Sequence, residues 1–201
     1  MNGVDQFLTR HGLTAKDTVL VPYGSRVYGT HSDKSDHDFM AIVPAHAAIV
    51  TGFEFRHDNV NVHVYKPEDW QQQLLAHKIH TLEAYFHPDK QIKARYKFKL
   101  NLGTLRSELS AKASHSFVKA KKKIEVEKDY HTGWKSLFHS LRILTFGKQI
   151  ADHGSIVDFG AANHHWFDRL NNPSYDWGYF KNKYQPIYND LATEFRKVAP
   201  K

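Results

Sequence analysis

The chain of 201 residues is 41% hydrophobic and 24% charged, with 11 Gly and 7 Pro, a composition that excludes bulk disorder, collagen-like repeats and low-complexity character. The absence of cysteine excludes a disulfide framework, a cysteine-ligated zinc finger, an iron–sulfur cluster and a thiol nucleophile. The net charge of +7 sits in one segment: Pro88 to Lys123 holds eleven Lys and Arg against Asp89 and Glu108, a local balance of +9, and such a surface attracts nucleic acid or another polyphosphate.

The opening residues have no basic stretch leading into an apolar one. The longest apolar run, Phe39 to Val50, is broken by Pro44 and His46, so the expectation is a soluble, cytoplasmic protein without a membrane partner. In chain order, Val4, Phe7, Leu8 and Leu13 predict a short helix that Gly12 can end. Asp17–Val21 reads as a buried strand running into Pro22 and Gly24, and Phe39–Val43 as a second strand stopped by Pro44. Asn59–Tyr65 alternates, with Val60, Val62 and Val64 on one face and Asn61, His63 and Tyr65 on the other. Pro67–His80 predicts one helix, opening on Pro, Glu and Asp with Trp70, Leu74 and Leu75 as its stripe.

From Gln91 to Leu100 the chain alternates again, which predicts an extended segment with Lys93, Arg95, Lys97 and Lys99 on one side and Ile92, Tyr96 and Phe98 on the other. Leu105, Leu109, Phe117 and Ile124 predict a long helix over Thr104–Val126. His131–Phe146 predicts the clearest helix, striped by Trp134, Leu137, Phe138, Leu141 and Leu144, with Gly147 at its end. The tail from Asp158 reads as aromatic and loop-rich, with one further helix near Ile187–Val198. The organisation expected is a strand-containing half, 1–90, followed by a basic, mainly helical half, 91–201.

Chemistry concentrates just after the first strand, in GSRVYGTHSDKSDHDFMAIV. Gly24 and Ser25 stand at a strand exit, where a glycine lets the backbone turn and present N–H groups to an anion. Asp36 and Asp38 enter the next strand two residues apart, hence on one face and roughly 6–7 Å apart along the chain. Two such carboxylates can bracket a hard cation, as divalent-metal phosphoryl transfer requires.

The string G-S-R-x-x-G-x(5)-S-D-x-D before an apolar strand, formed by Gly24, Ser25, Arg26, Gly29, Ser35, Asp36 and Asp38, resembles the signature of the DNA polymerase β-like nucleotidyltransferase superfamily, particularly its small bacterial and phage members. The resemblance implies an α+β fold with a mixed β-sheet flanked by helices, Mg²⁺ (or Mn²⁺) held by Asp36 and Asp38, and transfer of a nucleotidyl group from a nucleoside triphosphate with release of pyrophosphate. Gly24, Ser25, Arg26 and Ser35 are then the expected nucleotide-binding set. The family pattern adds a third carboxylate on the following strand, where this chain has Asn61 and His63. Asp58, Glu54 or Glu83 can substitute from outside that strand, and His63 can ligate the metal or act as the base.

In the helical half, Lys135, His139 and Arg142 share one helix stripe and resemble the K-x-x-x-H-x-x-R helix of some family members, which assigns Lys135 and His139 to the triphosphate or base and Arg142 to phosphate. The acceptor expected from the basic segment is a nucleic acid, an RNA end above all, contacted by Lys93, Arg95, Lys97, Lys99, Lys119 and Lys123. A protein or small-molecule hydroxyl is the alternative acceptor, and a catalytically silent nucleic-acid-binding module is the alternative function. Other signals lack their companions: Asp33, Asp36 and Asp38 do not have calcium-loop spacing, Asp158-Phe159-Gly160 has no HRD segment, and His164-His165 diverge.

Overall fold

Val60, Val62 and Val64 face one way and Asn61, His63 and Tyr65 the other, and this two-residue period governs the sheet around which the first half of the chain is built. The computed structural model describes residues 3–88, 91–168 and 176–200, and the chain divides into two units, Met1–Lys99 and Leu100–Lys201. Asp89 and Lys90 of the basic segment, and part of the tail expected to be loop-rich, lie outside the described residues. The architecture is α+β: a four-stranded mixed sheet with helices in the first unit and helices alone among the described residues of the second.

In the first unit the order is α1 (Gly3–Arg10), β1 (Val19–Tyr23), α2 (Ser25–Tyr28), β2 (His37–Ile42), β3 (Glu54–His57), β4 (Val60–Tyr65), α3 (Pro67–Leu75), α4 (Ile79–Phe86) and α5 (Gln91–Arg95). The strands lie in the order β1-β2-β4-β3, so Pro22 falls on an edge strand, where its missing N–H is tolerated. β1 runs antiparallel to β2, β2 parallel to β4, and β3 antiparallel to β4. Strand β3 was not foreseen: its four residues bury only Phe55, too little for a visible alternation. It joins β4 through Asp58 at φ 49, a left-handed conformation that Asp tolerates in tight turns.

One sheet face carries Ala41, Phe55, Val60, Val62 and Val64 against Phe7 and Leu8 of α1. The other carries Val19, Val21, Met40 and Ile42 against Trp70 of α3, Ala84 of α4 and Ile92 of α5. Burial of each large side chain here contributes about 1.5–3 kcal/mol. Along that second face the residues turn polar toward one end of the strands, reaching Tyr23, Asp38, Asn61 and His63.

Two expectations for this unit need correction. The helix expected over Pro67–His80 is two, α3 and α4, separated at Ala76–Lys78, where His77 takes φ 57 and ends the first. The extended segment expected over Gln91–Leu100 is helical as far as Arg95. Ile92 and Tyr96 have helical as well as strand spacing, both join the core around Trp70, and Tyr96 N donates to Ile92 O at 3.0 Å. Beyond it the alternation survives without a strand partner. The Gln71 amide stands in for one, donating to Lys97 O (2.8 Å) and accepting from Lys97 N (3.3 Å), while Lys97 and Lys99 remain exposed.

The second unit contains α6 (Leu102–Lys121), continued by a π-helical turn at Lys122–Val126, then α7 (Tyr130–His153), α8 (Asn163–Asp168) and α9 (Trp177–Val198). Its core joins Ala120, Ile124, Trp134, Leu137 and Leu141 to Trp177, Phe180 and Tyr184. Gly147 does not end α7. It lies inside the helix because a Cβ there would come 2.8 Å from the Phe195 ring of α9, and the terminating residue is Gly154, at φ 70. The last helix begins at Trp177 rather than near Ile187, capped by the Asp176 side chain and with Pro186 inside it. Among the described residues no helix is long and apolar enough to cross a membrane.

Candidate functional site

Gly24 leaves β1 at φ 83 and ψ −159, a conformation that glycine alone adopts readily. A Cβ on it would lie 2.6 Å from Asp38 Oδ2, so the chain turns into α2 in contact with the carboxylate of the neighbouring strand. Asp38 is the register partner of Tyr23 on one side and of Asn61 on the other.

The Asn61 amide makes the link between the two acids. Its Nδ2 donates to Asp36 Oδ2 at 3.2 Å and to Asp38 Oδ1 at 3.1 Å, which holds those oxygens within about 6 Å of each other. Asp36 is exposed; Asp38 and Asn61 are half-buried. The loop that carries the acids is fixed by Arg26, whose Nε donates to Asp36 O (3.2 Å) and whose Nη2 donates to Ser35 O (2.8 Å). Ser35 Oγ accepts from Ser32 N at 2.9 Å and closes the turn. Arg26 and Ser35 therefore shape the loop, while Gly24, Asp36 and Asp38 line one spot.

Beside them on the same sheet face, Tyr23 and His63 meet edge to face with ring centroids 5.7 Å apart. Burial raises the Tyr23 phenol, and the negative charges of Asp38, Glu54 and Glu83 add to the effect, so the group stays protonated and available as a neutral donor. Glu54, opposite His63 in the β3–β4 pair, puts Oε1 3.3 Å from His63 Nδ1. Glu83 is buried in α4 and accepts from Tyr28 Oη at 2.6 Å. Asp58 lies at the β3–β4 turn, 3.2 Å from His57 Nε2.

Among the described residues no three His, Asp or Glu side chains cluster as a metal site. The donor set at Asp36 and Asp38 nevertheless fits a hard divalent cation: two carboxylates face a common point, and the group between them is the partially positive end of an amide. Strand alternation had put Asn61 on the polar face, but its position between both acids follows from the parallel β2–β4 register, which leaves no mark in the sequence.

In the second unit Lys135 is exposed on α7, and Arg142 is buried, its Nη2 donating to His139 Nδ1 at 2.8 Å and its guanidinium 5.4 Å from the Phe138 ring centroid. Burial holds the His139 imidazole well below its usual value, and the charges of Arg142, Lys112 and Lys119 push the same way. His139 is thus a neutral acceptor for Arg142. Of the expected nucleic-acid contacts, Lys93, Arg95, Lys97, Lys99 and Lys119 are exposed, with Lys93 also 5.8 Å from the Phe86 ring. Lys123 pairs with Glu127 and Asp129, and the Glu127 hydrogen bond raises its ammonium. Tyr96 packs on Trp70, and Phe98 on His77, Tyr85 and Phe86, so neither ring is displayed with the lysines. No protein-family model matches the chain, and no curated protein does either.

Proposed function

We propose that the first unit is a polymerase β-like nucleotidyltransferase that depends on Mg²⁺ or Mn²⁺ and moves a nucleoside monophosphate from a nucleoside triphosphate to an acceptor hydroxyl. The observation that carries this reading is the meeting of Asp36 and Asp38 on one amide, with Asp38 packed under Gly24. Two carboxylates so close repel unless positive charge lies between them, and hard oxygens of this kind suit a small divalent cation. Asp36 and Asp38 hold that ion, which when bound supplies charge neutralisation for the triphosphate.

The remaining residues act through their own chemistry. Gly24 turns the chain tightly enough for the Asp38 carboxylate to sit where its side chain would be, and the backbone and hydroxyl of Ser25 that follow are the groups offered to a phosphate. The protonated Tyr23 donates to an oxygen at the same spot. His63 accepts the proton of the attacking hydroxyl. The acceptor is an RNA end reached through the phosphates: Lys93, Arg95, Lys97 and Lys99 of the first unit provide the charge, and the inward packing of Tyr96 and Phe98 leaves little for base stacking.

Titration calorimetry with a non-hydrolysable triphosphate tests the metal site. Binding should be at least about tenfold tighter with Mg²⁺ than with EDTA, and Asp36→Asn or Asp38→Asn should remove the difference. Equal binding in both buffers would overturn the reading. Labelled α-phosphate from each nucleoside triphosphate, offered with RNA, protein and small molecules, identifies donor and acceptor. For RNA, affinity should fall steeply with salt and charge reversal at Lys97 and Lys99 should flatten that slope. The neutrality of Asn61 favours a second reading, a nucleotide-binding module without turnover, which predicts Mg²⁺-dependent binding and no transfer of label.

A further inference from the structure

Ser25, Arg26, Val27 and Tyr28 make a single helical turn, and a turn of four residues does not hold itself together in water. What keeps α2 in place must come from outside it. Its backbone closes through Tyr28 N donating to Gly24 O (3.2 Å) and Thr30 N donating to Ser25 O (2.9 Å), both within the same short stretch of chain. Tyr28 is the one residue of α2 that is buried. Its hydroxyl donates at 2.6 Å to Glu83 Oε2 on α4, 55 residues further along, and both residues are only 5% exposed. A buried carboxylate is costly, and α4 buries Ile79, Leu82, Ala84 and Phe86 as well, so an apolar side chain at position 83 would tie the two helices together at less cost. A buried hydrogen bond fixes a distance and a direction, which apolar contact does not.

We infer that Glu83 is a positioning residue: through Tyr28 it anchors α2, and α2 in turn sets Ser25 and Arg26 against the two acids. What the site is used for rests on the transfer reading above, whereas the anchor is a chain of hydrogen bonds. From Glu83 it runs to Tyr28, through the turn to Arg26, and from Arg26 Nε and Nη2 to Asp36 O (3.2 Å) and Ser35 O (2.8 Å).

The two acids depend on this anchor unequally. Asp38 is fixed by its register with Tyr23 and Asn61. Asp36 is exposed and lies ahead of β2, beyond the strand ladder, so Arg26 on its carbonyl and Asn61 on its carboxylate hold it. A tilt of α2 therefore displaces Asp36 and the Ser25 hydroxyl and leaves Asp38 where it is. Of the three acids able to stand in for a third carboxylate, Glu83 is the buried one, and with Oε2 bonded to Tyr28 it serves the site from behind. Burial raises the Tyr23 phenol and the Glu83 charge adds to that effect, so the same carboxylate is also felt at the end of β1.

The test pairs ¹⁵N NMR of the arginine-labelled full chain with calorimetry. Arg26 Nε–H, assigned by its loss in Arg26→Lys, should exchange slowly in the wild type because it is bonded to Asp36 O. Tyr28→Phe keeps the ring and removes only the hydroxyl. It should speed that exchange about tenfold or more and weaken Mg²⁺-dependent triphosphate binding by about the same factor. Glu83→Ala should do likewise, whereas Glu83→Gln, whose amide oxygen still accepts from Tyr28, should stay within about threefold of wild type in both. Leu8→Ala, in the core on the opposite face of the sheet, is the stability control: compared at equal distance below each melting temperature, it should leave both readings within about threefold of wild type. If Tyr28→Phe leaves the exchange unchanged, Glu83 fills the core and anchors nothing. Faster exchange with wild-type binding would show that the anchor does not serve the site, and loss of both readings in Leu8→Ala would reduce the effect to general loosening; either result overturns the inference. If the wild type binds no triphosphate in Mg²⁺ while the exchange responds to Tyr28→Phe as stated, the nucleotidyl-transfer reading fails and the anchoring of α2 stands.

Discussion

Alanine at position 24 is the sharpest perturbation of the proposed site, because two separate penalties meet there. The backbone penalty comes from φ 83 and ψ −159, a region that side-chain-bearing residues occupy at about 1–3 kcal/mol. The steric penalty comes from the new methyl, which would lie 2.6 Å from Asp38 Oδ2 and so must drive that carboxylate from the point where it meets Asp36 across Asn61. Gly52 separates the two. It has φ 84 in the same unit, yet a Cβ there meets nothing within 4 Å, so Gly52→Ala carries a backbone penalty alone. Both variants should melt lower, by about 4–8 °C for each kcal/mol in a unit of roughly 100 residues. Only Gly24→Ala should lose Mg²⁺-dependent triphosphate binding, tenfold or more by calorimetry, about 1.4 kcal/mol. Wild-type Mg²⁺-dependent binding in Gly24→Ala would refute the idea that Asp38 must sit under the glycine turn. Equal loss in Gly52→Ala would mean that general destabilisation, not displacement of Asp38, removes binding.

Asn61→Asp replaces the amide between Asp36 and Asp38 by a third negative charge, so without divalent cation the melting temperature should fall by several degrees, on the order of 1 kcal/mol. Mg²⁺ should then raise it by more than it raises the wild type. A variant indifferent to Mg²⁺ would show that no cation enters between these acids. In the second unit, burial and the nearby His164 charge lower His165 to about 4, from an ordinary value of 6.5. Below pH 6.5 the unfolded chain takes up a proton that the folded unit refuses, so stability falls as pH drops from 6.5 to about 4 and levels off below. His139 acts with the same sign. Thermal melts of His165→Gln should show a shallower loss over that window, and an unchanged slope would contradict a neutral folded-state imidazole.

How far the site could be read from the sequence depended on whether local spacing or long-range register controlled each part. The turn at Gly24 and the strand that carries Asp38 were legible because a strand exit and a following apolar strand are local properties that the fold keeps, whereas Asp36 falls just before β2 and meets Asp38 through Asn61 rather than by strand alternation. The same locality misled at Gln91–Arg95, where an alternating basic pattern also carries Ile92 and Tyr96 four apart. Burial of Ile92 in the core around Trp70 decided for the helix. Gly147 misled for a related reason: a glycine near the end of a hydrophobic stripe reads as a cap, whereas here it makes room for Phe195.

Register explains the rest. Asn61 stands beside Asp38 only because β4 pairs parallel to β2 while its hairpin partner β3 lies outside it, an arrangement set by pairings across residues 37–65 and by a strand too short to announce itself. The absent third acid therefore means something different in three dimensions than along the chain. The position that pairs with Asp38 is filled by a group that already binds both carboxylates through N–H, and a half-turn of the same amide would present its oxygen instead. Asn61 is thus able to hold the acids together when no cation is between them and to face a cation when one is, which an aspartate at this position does only in the second state.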